Sequence, residues 1–246
     1  MTHHYPLADR LHASTHLVEN QPPSLENYNS YTTDRALQEG VRRESGSDDD
    51  APLKTFGQWA GSPEAIALGV DANRYSPQLV THDRQGHRVD LIEFHPAYHQ
   101  LMQTAIEHGL HASPWRNPQP GAHVNRAAHY FLQTQVEAGH GCPITMTFAA
   151  LPALRHQPSL LEQWGDKITA PHYDSRNVPY FEKQGLTLGM AMTEKQGGSD
   201  VRLNTTRAHP IDQGGPGEAL SWWGISGLSL PPCATPFWYL PRHPAA

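Results

Sequence analysis

The sequence predicts an α+β protein in which a helical region is followed by the beginning of a β region. Apolar side chains recur at helical spacing in several segments of the first 165 residues. Two short runs, Leu186–Met192 and Asn204–Ala208, then break this period and are typical of strands. With 246 residues, the chain is long enough for one large or two small domains with a hydrophobic core.

The first elements are predicted from polar and capping residues. Residues 1–30 are polar and contain Pro22-Pro23, which favours an extended arm. Asp34 is predicted to cap a short helix that runs through Val41. Residues 42–52 are expected to form a turn or a mobile loop. Its acidic run, Asp48-Asp49-Asp50, lacks the alternating ligands and the closing glutamate of a calcium loop.

The later helices are separated by turn signals. A helix is predicted from Pro63 to about Ala72, and Gly86 marks the tip of a hairpin or loop. Pro96 fits the first turn of the next helix. Further helices are predicted over about residues 122–138, from Pro143 to Leu154, and over residues 160–164 with Ser159 as the cap.

The stretch Met192–Asp200, which reads Met-Thr-Glu-Lys-Gln-Gly-Gly-Ser-Asp, is the most informative part of the sequence. The preceding strand can offer backbone hydrogen-bonding groups to a flat polar ring, and Thr193 can add a hydroxyl group. Gly197 and Gly198 let the backbone approach a phosphate closely because neither residue has a Cβ atom. The pattern predicts a cradle for a flavin dinucleotide.

Four separated segments resemble the acyl-CoA dehydrogenase family and, within it, the AidB-like alkylation-response branch. They are residues 191–200, 142–150 (Cys-Pro-Ile-Thr-Met-Thr-Phe-Ala-Ala), 133–139 and 20–22, within a likeness that runs from about Thr15 to Ala208. The resemblance implies a helical N-terminal domain over residues 31–180 and the start of a middle β domain over residues 181–219. It also implies that the acidic run is a solvated helix start.

The resemblance implies FAD as the cofactor, which in this family takes a hydride from Cβ of an acyl thioester. The residues implied to bind it are Met190, Ala191, Met192, Thr193, Gly197, Gly198 and Ser199. Glu194 and Asp200 are implied to be structural partners of their turns. The family's catalytic carboxylate comes from a C-terminal helical domain, so we assign no catalytic residue.

Residues 220–246 depart from the resemblance, since they contain three tryptophans and five prolines but no Asp, Glu or Lys. The family has a strand resembling Val-Gly-His-Lys-Trp-Phe at this position. A reading frame that starts at the third base of the Ser221 codon forces Val-Gly beneath Trp222-Trp223-Gly224 and permits His-Lys-Trp-Phe after it. We therefore expect a frame change between about Pro216 and Ser221, and a truncated product with weak or absent FAD binding and no dehydrogenase turnover.

Composition restricts the partners and the compartment. The formal net charge of −6 argues against a broad nucleic-acid surface. The resemblance implies a homo-oligomer, a tetramer for the intact protein, with DNA bound only through a C-terminal domain. The start of the sequence has no apolar signal region, and no run of eighteen apolar residues follows, so no membrane partner is expected. Cys142 and Cys233 give no disulfide framework, and we expect a cytoplasmic protein.

Three functional interpretations stay open. The first is a flavin-binding, acyl-CoA dehydrogenase-like protein of the DNA alkylation response. The second is a non-enzymatic remnant whose helical domain docks on an intact homologue. The third is a metal-binding module built from some of the 17 histidines. The helically spaced pairs His95/His99 and His108/His111 have no carboxylate partner, so we expect solvated helix faces and no metal site.

Overall fold

The computed structural model describes residues 19–190, 193–194, 198–205, 207–210 and 220–223, the last two ranges by their backbone alone. The helices are α1 (Arg35–Ser45), α2 (Ala51–Ala60), α3 (Pro63–Arg74), α4 (Pro96–Glu107), α5 (Ser113–Arg116), α6 (Ala122–Val136), α7 (Gly141–Leu154) and α8 (Pro158–Ile168). The strands are β1 (Gln78–His82), β2 (Arg88–Glu93), β3 (Arg207–Pro210) and β4 (Leu220–Trp223). The helical region followed by a short β region confirms the α+β prediction.

Capping residues set the starts of the first helices. Asp34 accepts a hydrogen bond from the backbone N–H of Leu37 at 2.8 Å, which satisfies one of the unpaired donors at the start of α1. The helix ends at Gly46, whose φ of +66° suits the residue that follows a helix. The expected loop over residues 42–52 is wrong at both ends, because α1 extends through Ser45 and α2 begins at Ala51.

The acidic run lies just before α2, as a solvated helix start. Asp50 contacts Lys54, one turn along α2, with 2.7 Å between the carboxylate oxygen and Nζ. The predicted cap at Ser159 is wrong, because α8 already begins at Pro158 and Gln157 precedes it. Proline is well suited to the first position of a helix, since the N–H that it lacks would have no intrahelical partner there.

β1 and β2 form an antiparallel hairpin in which Leu79 pairs with Ile92. The carboxylate of Asp83 accepts hydrogen bonds from the backbone N–H groups of Gln85 and His87, both at 2.9 Å. Gly86 has a φ of +86°, a conformation that glycine adopts at little cost. The hairpin that the sequence allowed at this position is therefore formed.

Two apolar clusters make the core of the helical region. One contains Tyr31, Val41, Leu53, Phe56, Ala60, Ala128 and Leu132. The other contains Tyr98, Met102, Ala105, Ile106, Leu110 and Ile144. Helix α6 packs against α1, α2, α3, α5 and α7, and it therefore organises the bundle. No helix among the described residues combines the length and the apolar character that crossing a bilayer requires.

A buried polar network fills the corner between α6 and α7. The carboxylate of Glu137 accepts hydrogen bonds from Nδ1 of His140 at 2.7 Å and from the backbone N–H groups of Gly139 and His140. Asn73 adds a fourth from α3 at 3.2 Å. Nε2 of His140 accepts from the Gln133 amide at 2.8 Å, so its ring proton lies on Nδ1.

The β region begins after α8. Among the described residues, no strand pairs with residues 186–190, so this part of the predicted strand Leu186–Met192 is not paired in a sheet there. Strand β3 pairs antiparallel with β4, and Arg207 lies opposite Trp223. The first four of residues 220–246, which depart from the family resemblance, form β4 and pair with β3 through their backbone.

Candidate functional site

Residues 186–190 lead to the predicted flavin cradle and are hydrogen-bonded along one edge to the helical region. We call these residues the held segment. The backbone N–H of Leu186 donates to the carbonyl of Lys167 at 3.0 Å. The N–H of Leu188 donates to the hydroxyl of Thr147 at 2.9 Å, and the N–H of Met190 donates to the sulfur of Met146 at 3.1 Å. Alternate amides of an extended segment point to the same edge. The helices therefore take the place of a neighbouring strand.

Thr147 lies on α7 and is fully buried, at 0% exposure. Its hydroxyl oxygen is 2.7 Å from the carbonyl oxygen of Pro143, four residues earlier on the same helix. A hydroxyl group has a single hydrogen, and the short contact to Pro143 uses it. The lone pairs of the oxygen are then available to accept the N–H of Leu188.

The loop that carries the Gly-Ser-Asp sequence is closed by Glu194. Oε2 of this 5%-exposed side chain accepts hydrogen bonds from the backbone N–H and the hydroxyl of Thr205, at 2.9 and 3.1 Å. Within the loop, Asp200 accepts from the backbone N–H of Arg202 at 3.2 Å and starts a short 3-10 turn, Val201–Leu203. Both carboxylates contact their own loop, in agreement with the structural roles expected of them.

Thr193 and Gly198 lie against each other across this loop. A Cβ atom at Gly198 would approach Cγ2 of Thr193 to 2.5 Å, well inside van der Waals contact. The close approach therefore requires glycine. It brings Thr193 to the start of the exposed turn at Ser199.

The predicted flavin-binding residues are only partly within the described structure. Ala191, Met192 and Gly197 lie outside the described residues. Met190 is 39% exposed at the end of the held segment, and Ser199 is exposed in the turn. The described residues fit one side of a flavin dinucleotide, since they combine an accessible apolar side chain, a buried threonine hydroxyl and a turn without a side chain at Gly198.

The space behind the held segment is too small for a substrate. Residues that include Ile106, Tyr173 and Leu186 enclose a cavity of about 10 Å³, which is room for a single water molecule. The Tyr173 hydroxyl is 2.9 Å from Nδ1 of His99. Burial raises the pKa of Tyr173 and lowers that of His99, so both rings are uncharged at neutral pH.

The histidines of the two helically spaced pairs make contacts within the fold. His95 caps α4 by accepting from the N–H of Ala97, and His108 contacts the carbonyl of Thr104. The expectation of solvated faces is wrong for His111, which is 1% exposed and donates from Nε2 to the carbonyl of Ala170 at 3.1 Å. No three His, Cys, Asp or Glu side chains in the described part of the chain are grouped to hold a metal ion.

Sequence reasoning missed the residues that hold the segment. Met146 and Thr147 belong to the stretch Cys142–Ala150, which entered only as part of the family resemblance. The signal was the pair of threonines, Thr145 and Thr147, in the middle of a largely apolar helix, of which Thr147 is the buried one. Such a residue requires a hydrogen-bond partner when it is buried.

The fold matches that of an acyl-CoA dehydrogenase N-terminal helical domain followed by the start of a β domain. The crystal structure of Caenorhabditis elegans ACDH-11 in complex with C11-CoA matches with a TM-score of 0.67 at 24% identity, over 87% of this chain and 36% of that chain. The structure described as the Bd2924 apo-form also matches with a TM-score of 0.67 at 24% identity, over 82% of this chain and 40% of that chain.

The chain belongs to the AidB family, because residues 20–175 match the family described as the Adaptive response protein AidB N-terminal domain. Among curated proteins, the chain is 46% identical over 206 residues to the putative acyl-CoA dehydrogenase AidB of Escherichia coli strain K12. It is 29% identical over 196 residues to acyl-CoA dehydrogenase family member 11 of Caenorhabditis elegans. These alignments cover 83% and 77% of this chain, which spans 38% and 31% of the two relatives.

Proposed function

We propose that this chain forms one side of the FAD site of an acyl-CoA dehydrogenase-like flavoprotein of the DNA alkylation response. The observation that carries the proposal is the position of Thr193 and Gly198. The two residues lie against each other, and Thr193 follows three residues after Met190, the last residue of the segment that the helices hold. The ring-binding and phosphate-binding parts of the predicted cradle are thereby adjacent.

The proposed roles follow from the local chemistry. Met190 and Thr193 would contact the isoalloxazine edge, and the turn at Gly198 and Ser199 would approach the pyrophosphate with backbone N–H groups. Bound FAD would supply the hydride chemistry, while the chain positions the cofactor. Glu194 is not proposed as a general base, because its carboxylate accepts two hydrogen bonds from Thr205.

The 246-residue polypeptide is proposed to hold FAD weakly and to show no dehydrogenase turnover by itself. The described residues would contact the cofactor from one side only, and none of them is assigned as the catalytic base. We further propose that the family's homotetramer and its C-terminal DNA surface are properties of longer relatives. The compartment consistent with this proposal is the cytoplasm.

A frame change between about Pro216 and Ser221 is part of the proposal. Nucleotide sequencing of the gene tests it directly. We expect the displaced frame beneath residues 222–228 to encode Val-Gly-His-Lys-Trp-Phe. A gene without those codons would contradict the frame change and leave the flavin proposal unaffected.

Titration of the purified polypeptide with FAD, followed by visible circular dichroism of the flavin, tests the cofactor. We expect weak, saturable binding that Gly198→Ala weakens by about tenfold, because the new Cβ would collide with Thr193. Gly40→Ala is the matched control, since no atom lies within 4 Å of its Cβ position. A wild-type chain with no saturable binding, or equal affinity in the Gly198→Ala variant, would contradict the proposal.

A further inference from the structure

We infer that Thr147 is a positioning residue for the flavin-binding segment, a role that rests on the proposed function. The hydroxyl of Thr147 fixes Leu188, and Leu188 lies two residues before Met190, the first residue proposed to contact the flavin. Thr147 itself is fully buried, at 0% exposure, and acts on the segment through its hydroxyl group. Thr147 thereby fixes which residues of the segment face the helices.

The three hydrogen bonds that hold residues 186–190 differ in how precisely they fix the register of the segment against the helices. Lys167 holds Leu186 through a backbone carbonyl, which any residue type at that position would provide. Met146 holds Met190 through a sulfur atom, a weak acceptor on a flexible side chain. Thr147 holds Leu188 through a hydroxyl whose direction is set by its contact with Pro143. The threonine is therefore the side chain that specifies the register most sharply.

The register of the held segment matters because successive backbone amides of an extended chain point to opposite edges. A shift of one residue would turn the amides of Leu188 and Met190 away from α7 and reverse every side chain of the segment. Met190 would then leave the face from which it is 39% exposed. The next residues described along the chain, Thr193 and Glu194, would enter their loop from the wrong side.

The buried hydroxyl also explains why an apolar residue cannot replace threonine. Valine has nearly the same shape but offers no acceptor, so the N–H of Leu188 would lose its partner at a part-buried position. An amide that loses its acceptor there is left unsatisfied and exchanges its hydrogen faster. Serine keeps the oxygen and its contact to Pro143 and lacks only the methyl group.

The test compares Thr147→Val with Thr147→Ser in the full 246-residue chain. Amide hydrogen exchange is followed by mass spectrometry at Leu188 and Leu186, without added cofactor. We expect Thr147→Val to raise exchange at Leu188 by about tenfold, since one part-buried hydrogen bond is lost. Leu186 keeps its bond to Lys167 and should change little. Thr147→Ser should match the wild-type chain at both amides.

Thr134→Val is the matched control. Thr134 makes the same contact to the carbonyl four residues earlier, at 2.8 Å from Tyr130, but it is exposed and holds no other segment. We expect no change in exchange at Leu188 in this variant. FAD titration of all four chains then provides the second measurement. The dissociation constant should rise about tenfold for Thr147→Val and stay near the wild-type value for Thr147→Ser and Thr134→Val.

The outcomes separate the two hypotheses. Unchanged exchange at Leu188 in Thr147→Val would overturn the hydrogen-bond role of Thr147 while the proposed flavin function stands. Raised exchange with an unchanged dissociation constant for FAD would overturn the positioning role alone. A wild-type chain that does not bind FAD would overturn the proposed function, and the positioning role with it.

Discussion

Thr205 donates two hydrogen bonds to one oxygen of Glu194, from its backbone N–H at 2.9 Å and from its hydroxyl at 3.1 Å. The two residues lie eleven positions apart and close the loop that carries Gly198 and Ser199. A carboxylate is well suited to this position, since it accepts several hydrogen bonds and donates none.

Glu194→Ala should open the loop without unfolding the helical region. Both bonds to Thr205 are lost, and we expect amide exchange at Thr205 to rise by at least about tenfold, because hydrogen bonds to a charged group contribute about 1.5–3 kcal/mol. Glu162→Ala, at an exposed position on α8, is the control and should leave Thr205 unchanged. Equal protection of Thr205 in the Glu194→Ala variant would mean that the loop is held by other contacts.

Glu137→Gln should destabilise the helical region by about 3 kcal/mol, as expected when one partner of a buried charged network is removed. The carboxylate accepts four hydrogen bonds, from Asn73, Gly139 and twice from His140. An amide would direct its own N–H groups at some of these donors. Urea unfolding measures the difference. Glu39→Gln removes an exposed ion pair to Arg35 and should cost less than about 0.5 kcal/mol.

The carboxylate of Glu137 should also make the free energy of unfolding depend on pH under acidic conditions. Burial disfavours its charged form, but the hydrogen bonds from His140 and Gly139 outweigh this and lower the pKa of Glu137 to about 2. Because the folded-state pKa lies below the unfolded value, the stabilisation is present above about pH 4.5 and is lost as the pH falls towards 2. A flat free energy of unfolding over that range would contradict the network, and the Glu137→Gln chain should show a smaller slope than wild type.

At less acidic pH, His111 should make the largest contribution to the pH dependence of the free energy of unfolding. Burial, together with Arg116 and Arg126 nearby, lowers the pKa of His111 to about 4 despite its bond to Ala170. The unfolded chain binds a proton near pH 6.5 and the folded chain does not, so stability should fall as the pH decreases from 6.5 to 4. The loss should approach about 3 kcal/mol. His111→Gln removes the titrating group, and an unaltered slope in that variant would disprove the assignment.

Gly69→Ala and Gly40→Ala should have opposite effects on the melting temperature. Both glycines are in helices, where alanine is intrinsically better by about 0.5–1 kcal/mol. At Gly69 the new Cβ would lie 2.2 Å from the carbonyl oxygen of Val136 on α6, so we expect a net loss of about 2 kcal/mol. At Gly40 nothing lies within 4 Å, and the variant should be neutral or stabilised. A stabilised Gly69→Ala chain would show that α3 and α6 can separate freely.

The secondary structure that could be predicted from the sequence is that determined by residues close together in the chain. Asp34 and Gly86 act through their own turns, so the start of α1 and the hairpin could be predicted from residue type. The end of α1 was missed because Gly46 stops the helix five residues later than the last apolar residue, Val41. Partners distant in the chain were not predictable: the contact between Thr147 and Leu188 spans 41 residues. The burial of His111 likewise depends on Ala170, 59 residues away.

Between His108 and Leu161 the sequence contains a single acidic residue, Glu137, and its contact with His140 removes that charge from the exterior. The exposed cationic side chains of this region, Arg116 and Arg155, therefore have no acidic neighbour within it, although the chain as a whole carries a formal charge of −6. At low ionic strength, we expect this stretch to be attracted to a negatively charged surface more strongly than the net charge of the whole chain indicates, and added salt to screen that attraction.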